Sequence, residues 1–260
     1  MKVLFFGDIV ASQGREIVLS SIEGLKQKYK PDLVIANGEN SAHGKGITYK
    51  IYNQIRNAGI DVITMGNHTF SKSDIYDSLE LMDRLVCPRN HIKHVDECLD
   101  YVIVNVRNKR VCVTSVQCES MMNETSASAF ETMDYILEKT KNKADIYIVD
   151  LHGETTAEKR IFAEYYKDKI TAVLGTHTHV QTADERIIGN LAFISDVGMC
   201  GAYDSIIGRD INECLDSWVL KKETKYTIAD NKALLSAVVF DINEDDNKAI
   251  SIERIQIRPY

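Results

Sequence analysis

Five short apolar runs in the first two thirds of this chain each end at a polar or ionisable side chain. No other feature of the sequence restricts the fold as tightly. Lys2-Val3-Leu4-Phe5-Phe6 runs into Gly7-Asp8, and Leu33-Val34-Ile35-Ala36 into Glu39-Asn40. Val62-Ile63-Thr64-Met65 then leads to Asn67-His68, the run at 145–151 to His152, and the run at 171–174 to His177 and His179. Runs this short, rich in β-branched residues and bounded by Gly, Asn or Asp, read as buried strands. Between them, apolar residues recur near the helical period, at Ile17, Val18, Ile22 and Leu25 and again over 47–58, 127–139 and 154–167. Strands that alternate with crossovers of a dozen or more residues predict a layered α/β fold whose first sheet is mainly parallel.

The pattern changes after Ala192. Strands are expected at 192–195, 225–229, 233–242 and 249–257, with one helix over 212–220, which predicts a second, antiparallel or mixed sheet packed on the first. Strands are also expected at 101–106 and 110–116. There is no internal repeat, no Pro/Gly/Ser linker and only 3 prolines, so residues 1–260 are read as a single domain. With no long apolar stretch and no leader-like start, a cytoplasmic protein that does not enter the membrane is expected. The 6 cysteines have no metal-ligand or disulfide-framework spacing, so reduced, buried thiols are expected. A net charge of −7 argues against broad nucleic-acid binding, because a polyanion is repelled unless bound cations invert the charge locally.

In an open α/β sheet, residues at the carboxyl ends of successive strands converge although they are scattered in sequence. Here they supply two carboxylates, two amide oxygens and several imidazoles, the donor set of a centre of two divalent cations. In such a site the ions activate a bridging water as nucleophile, clamp the phosphoryl oxygens and need no serine or cysteine nucleophile. Taken singly, Asp8, Asn40 and Asn67 read as turn or cap residues, and His152 as a structural histidine. The pair His177-x-His179 is a stronger signal, since two imidazoles two residues apart in extended chain point the same way. His43 lies in the Gly-bounded loop 37–46, where it either lines the pocket or faces solvent. His91 and His94 are expected at the surface, and 243–247 as a solvated hairpin turn.

Gly7-Asp8, Gly38-Glu39-Asn40, Gly66-Asn67-His68, His152 and Gly175-Thr176-His177-Thr178-His179 resemble the ordered signature of the calcineurin-like metallophosphoesterases. The strings at 37–46, 65–69, 175–184 and 196–199 resemble, more narrowly, the bacterial YmdB-like phosphodiesterases. That resemblance implies a four-layer α/β/β/α sandwich of two mixed sheets. It also implies a hydrolase acting on small phosphodiesters including cyclic nucleotides, with iron or manganese as metals, and self-association into a homo-oligomer. Ligand softness alone permits zinc as well. Asp8 is followed by Ile9-Val10 where the wider superfamily has Asp-x-His; the YmdB-like resemblance implies that the missing ligand's role passes to Asn40 and that Glu39 takes a bridging place held elsewhere by aspartate. The resemblance then gives one metal to Asp8, Glu39, Asn40 and His179, and the other to Glu39, Asn67, His152 and His177, leaving His68 as the general acid. Tyr203, Asp204 and Arg209, in the polar loop 196–209, are expected to touch substrate; the loop 117–126 is the other place where specificity is expected. The alternatives are a phosphomonoesterase acting on nucleotides or phosphoproteins with the same metals, and a non-catalytic metal-bound regulator.

Overall fold

The structure, a computed structural model, describes residues 1–122 and 125–259. Fourteen strands and five α-helices follow one another along the described residues. The first half holds β1 (Lys2–Phe6), β2 (Asp8–Ile9), α1 (Ala11–Tyr29), β3 (Leu33–Asn37), α2 (Tyr49–Asn57), β4 (Val62–Thr64), β5 (Leu85–Val86), β6 (Tyr101–Val106) and β7 (Lys109–Gln117). The second half holds α3 (Ala129–Thr140), β8 (Ile146–His152), α4 (Thr156–Tyr166), β9 (Ala172–Thr176), β10 (Arg186–Ile188), β11 (Leu191–Ile194), β12 (Met199–Ala202), α5 (Ile211–Trp218), β13 (Ala233–Asn243) and β14 (Lys248–Ile257). A 3₁₀ segment spans Ser73–Leu81.

The strands form two mixed sheets. An eight-stranded sheet runs β2-β12-β13-β1-β3-β4-β5, with β14 also on β13, and a six-stranded sheet runs β10-β11-β9-β8-β7-β6. β1, β3, β4 and β5 are mutually parallel, as are β7, β8, β9 and β11. The period-2 alternation of a strand decides what each side chain faces. In β1, Val3 and Phe5 join Val111, Val113, Ile148 and Leu174 in a core between the sheets, whereas Leu4 and Phe6 join Val18 and Ile22 of α1 and Ile55 of α2. The far face of the second sheet, with Val149, Leu151 and Val173, buries Met133 and Ile136 of α3 and Phe162 and Tyr166 of α4. The order of layers is therefore α/β/β/α. Burying each such Phe, Leu or Ile contributes about 1.5–3 kcal/mol.

Local signals fix the helix limits. α3 starts at a capping box in which the Ser128 hydroxyl accepts the Glu131 N–H and the Glu131 carboxylate accepts the Ser128 N–H, as Ser-x-x-Glu predicts. α1 ends at Lys30, whose φ of 50° precedes Pro31.

Three expectations need correction. The strands after Ala192 do not make a sheet of their own, because β10 and β11 extend the second sheet while β12, β13 and β14 extend the first. The segment 225–229 contributes only an isolated bridge between Arg209 and Ile228; Tyr226 lines the cleft described below, and Ile228 packs against Val10, Ala11 and Met199. His91 is buried: its Nε2 lies 3.1 Å from the Asn67 carbonyl oxygen, and its ring packs edge-on against Phe70. Asn123 and Glu124 of the loop 117–126 lie outside the described residues. All 6 cysteines are free and buried. No helix among the described residues is long and apolar enough to cross a membrane.

Candidate metal centre

The strand-end residues do converge. Asp8, Glu39, Asn40 and Asn67 come from the first sheet, and His152, His177 and His179 from the second, so the site straddles the carboxyl ends of both. It forms the floor of a cleft of about 480 Å³ whose walls include His68, Lys45, Glu154, Arg209 and Tyr226. Ligand atoms of Glu39, His152 and His177 all lie within 4.8 Å of one another.

His152 shows how such a site is held. Asp150, buried one turn of pleat below it, accepts hydrogen bonds from the hydroxyls of Thr64 and Thr176 and from the Asn37 amide. The Thr176 hydroxyl proton is thereby committed to Asp150 (2.6 Å), which leaves its oxygen to accept from His152 Nδ1 at 2.8 Å. This hydrogen bond fixes the ring so that Nε2 faces the cleft, the arrangement typical of a metal-binding imidazole. Around Nε2 stand Asn67 Oδ1 at 2.8 Å, His177 Nδ1 at 3.1 Å and Glu39 Oε1 at 3.2 Å. Asn67 Oδ1 and Glu39 Oε1 are acceptors, as is His177 Nδ1 when its ring proton is on Nε2, and such a cluster around the His152 lone pair is repulsive unless a positive charge sits among them.

The acid–base properties say the same. Burial opposes charge on His152, yet Glu39, with Asp8 and Asp150, holds its pKa up to about 9. Burial likewise works against the Glu39 carboxylate, but His152, with His68 and His177, pulls it down to about 2. In the absence of a metal, a proton on His152 meets the site's demand for positive charge. His177 is pushed down to about 3 by burial and by the neighbouring His152. Burial pushes Asp8 well above the usual carboxylate range, with Asp196, Glu39 and Asp150 adding to the shift against His152.

At the other side of the floor, the Asn40 amide donates to the Gly44 carbonyl, and its Oδ1 lies 3.2 Å from His179 Nε2. His179 Nδ1 donates to the Ile207 carbonyl at 2.9 Å, so Nε2 and Oδ1 again face each other as two acceptors. Asp8 Oδ2 accepts the His177 N–H at 3.2 Å, while Oδ1 is buried with no hydrogen-bond partner. An orphaned buried carboxylate oxygen beside two opposed acceptor pairs is what cation ligands look like without the cation. A side chain at Gly66 would close the space: a Cβ there would stand 2.1 Å from Glu39 Oε2 and 2.4 Å from His152 Nε2. By donor chemistry and by space, the residues fit divalent ions.

The histidine clip differs from its expected form. His177 and His179 have φ of 101° and 66°, left-handed rather than extended. Their loop is held by Asp196, which accepts the Thr178 N–H at 3.0 Å and the Gly198 N–H at 2.8 Å. Asp196 is itself paired with the fully buried Lys159 at 3.1 Å, whose ammonium also donates to the Thr176 carbonyl. Nothing in the sequence signals this network, because its members lie far apart and a lysine at helical spacing reads as surface.

His68 lies in the cleft with its backbone N–H toward Glu39 Oε2 at 3.3 Å; burial lowers its pKa, with Glu39 opposing. Arg209 lines the cleft, ion-paired with Glu213 at 2.8 Å and 5.1 Å from the centre of the Tyr226 ring. Tyr203 and Asp204 are not among the cleft residues: their backbone amides bond to Lys232 and Asn231. Sequence reasoning missed Lys45, Glu154 and Tyr226. His43 is exposed and lines a separate groove with Arg15 and Lys72.

A family model described as YmdB-like protein matches residues 4–255. A 2',3'-cyclic-nucleotide 2'-phosphodiesterase from Bacillus subtilis is 41% identical over 99% of this chain and 97% of its own. Among solved structures, one described as a novel phosphatase from Mycoplasma pneumoniae has 33% identity and a TM-score of 0.92, covering 99% of this chain and 93% of its own. A hypothetical protein from Thermus thermophilus has 32% identity and a TM-score of 0.90, covering 99% of both chains.

Proposed function

Because this chain belongs to the YmdB-like family, we propose that it is a metal-dependent phosphodiesterase acting on 2',3'-cyclic nucleotides. The observation that carries the reading is the convergence of Asn67 Oδ1, His177 Nδ1 and Glu39 Oε1 on His152 Nε2, a buried group of acceptors that needs positive charge. Two divalent ions, iron or manganese in the first place, would be held by Asp8, Glu39, Asn40 and His179 and by Glu39, Asn67, His152 and His177. When bound, such ions draw charge from the phosphoryl oxygens and acidify a water to serve as nucleophile.

The chain's own residues do the rest. Glu39 balances positive charge from the centre of the floor. Asp150 and Thr176 keep the His152 lone pair turned into the cleft, and Asp196 keeps the histidine loop in its left-handed form. His68 delivers a proton to the leaving oxygen; its lowered pKa makes it a stronger acid, and turnover that depends on it falls as pH rises. Lys45, on the cleft wall, attracts the anionic diester into a chain that is acidic overall. We read residues 1–260 as one domain, cytoplasmic and self-associating.

A phosphomonoesterase is the second reading, favoured by the description of the Mycoplasma pneumoniae relative. Protein loaded with manganese and given 2',3'-cyclic AMP and the two adenosine monophosphates decides. Conversion of the cyclic diester to the 3'-monophosphate, without further loss of phosphate, is expected. Faster release of inorganic phosphate from the monoesters would establish the second reading, and absence of any metal-dependent turnover would overturn both.

A further inference from the structure

A second carboxylate on the cleft wall has no part in the chemistry above. Glu154 sits between the end of β8 and the start of α4, two residues after His152, about half exposed. In a cleft that admits an anionic diester, a free carboxylate at the wall repels substrate. Its own contact explains why it is there: Glu154 Oε2 lies 3.2 Å from His177 Nε2, while the opposite ring nitrogen, Nδ1, lies 3.1 Å from His152 Nε2. The His177 imidazole is thus spanned between a carboxylate on one side and the buried acceptor cluster on the other.

A carboxylate accepts and does not donate, so the single proton of a neutral His177 belongs on Nε2, and the Nδ1 lone pair is left facing Glu39 and His152. The main chain does not fix that orientation alone. His177 has a φ of 101°, where side chains other than glycine are rarely found, and its N–H is held by Asp8. A ring on such a segment can turn over and present the wrong nitrogen unless its far side is held.

We propose that Glu154 is the positioning residue for His177, accepting the Nε2 proton and so aiming Nδ1 as the ligand atom for one of the two ions. The inference rests on the reading of the floor as a two-ion centre, but the tautomer and ring orientation can be measured without any ion. An outer partner of this kind sets ligand direction and basicity, and its loss costs about 10–100-fold in metal affinity. Only the ion on the His152 side is affected, since His179 leans on the Ile207 carbonyl instead.

The test uses the full chain, manganese alone as probe, and the variants Glu154→Ala and Glu154→Gln. Calorimetric titration of metal-free protein should give two sites in the wild type. In Glu154→Ala one of them should weaken about 10–100-fold, with the other unchanged. Glu154→Gln keeps an acceptor oxygen and should recover most of that loss, which a general packing defect would not show. Nitrogen-15 spectra of the metal-free wild type should place the His177 proton on Nε2, and those of Glu154→Ala should show mixed tautomers. Two manganese sites of wild-type affinity in Glu154→Ala would overturn the proposal. So would a rise in KM for the cyclic diester with metal affinity intact, which would make Glu154 a substrate contact. A wild type that takes up no manganese would overturn the two-ion reading instead, while the nitrogen-15 spectra would still decide whether Glu154 orients His177.

Discussion

The floor of the cleft has two unequal halves. Glu39, Asn67, His152 and His177 sit at the ends of neighbouring parallel strands, with Asp150 and Thr176 buried behind them. Asn40 and His179 are held by loops, Asn40 by the Gly44 carbonyl and His179 by that of the exposed Ile207, while Asp8, in the two-residue strand β2, keeps one oxygen unpartnered. In the first half His152 is set by the same pleat and hydrogen bonding that build the sheets, and Glu39, Asn67 and His177 follow shortly after the ends of β3, β4 and β9. The second depends on segments 40–46 and 203–209, which have little regular structure. The difference teaches that two ligand sets of equal size need not grip equally, and that the strand-built half should hold its ion longer against dialysis.

The change expected to do most damage is Glu39→Gln, since Glu39 is the carboxylate both halves share. It should empty both halves by elemental analysis and lower diesterase activity by more than the roughly 100-fold that an outer partner costs. Two ions retained in Glu39→Gln would break the comparison outright.

Next in size is His68→Ala, which should cost about 10²–10⁴-fold on a nucleotide diester, the range for a positioned general acid. It should cost distinctly less on a nitrophenyl diester, whose leaving group needs no proton, and both ions should stay. Equal loss on both substrates would assign the ring to charge stabilisation instead.

Asp150→Asn sharpens the comparison. It unsettles the Thr176 hydroxyl and with it the His152 ring, so affinity on the strand-built side alone should fall about 10–100-fold. Equal weakening of both ions would show that the halves are not independent.

The smallest effect is on stability against pH. With its pKa of about 9 in the folded chain against an ordinary 6.5, His152 contributes stability that is complete below pH 6.5 and lost as pH rises toward 9. Glu39, at about 2 against 4.5, contributes stability present above pH 4.5 and lost only as pH falls toward 2. Between pH 6.5 and 9 the melting temperature of metal-free protein should therefore fall, by roughly 2–4 °C for each kcal/mol lost, and His152→Asn should flatten the slope. Manganese-loaded protein should not fall over that range, because ion binding replaces the proton and tightens as pH rises. Parallel slopes with and without manganese would place the ion away from His152.

Much of this was legible in the sequence, and the exceptions share a cause. The seven strand-end residues stood out because each closes an apolar run, and the runs themselves follow from periodicity. Lys159, Asp150 and Thr176 did not, since a buried polar group is recognised only by its partner, and these partners lie 37, 86 and 26 residues away in Asp196, Thr64 and Asp150. Glu154 and Tyr226 sit on the cleft wall for a similar reason, through contacts no local pattern encodes. The expectation that the late strands form one sheet of their own failed because apolar alternation marks a strand but does not name its neighbour.

The centre draws Asp8, Glu39, Asn40 and Asn67 from one sheet and His152, His177 and His179 from the other. Ions bound there would act as rivets through the two β layers at one end of the sandwich. At a free concentration 100 times the dissociation constant, a single ion that binds only the folded chain adds about 2.7 kcal/mol to its stability. That gain would be mechanical as well as thermodynamic, because the layers could not slide or splay at the riveted end without breaking ligand bonds. The apolar face between them has no such direction and resists sliding only through its packing. Chelation would therefore loosen the sandwich from the cleft end first, and amide exchange would spread from the strand tips inward.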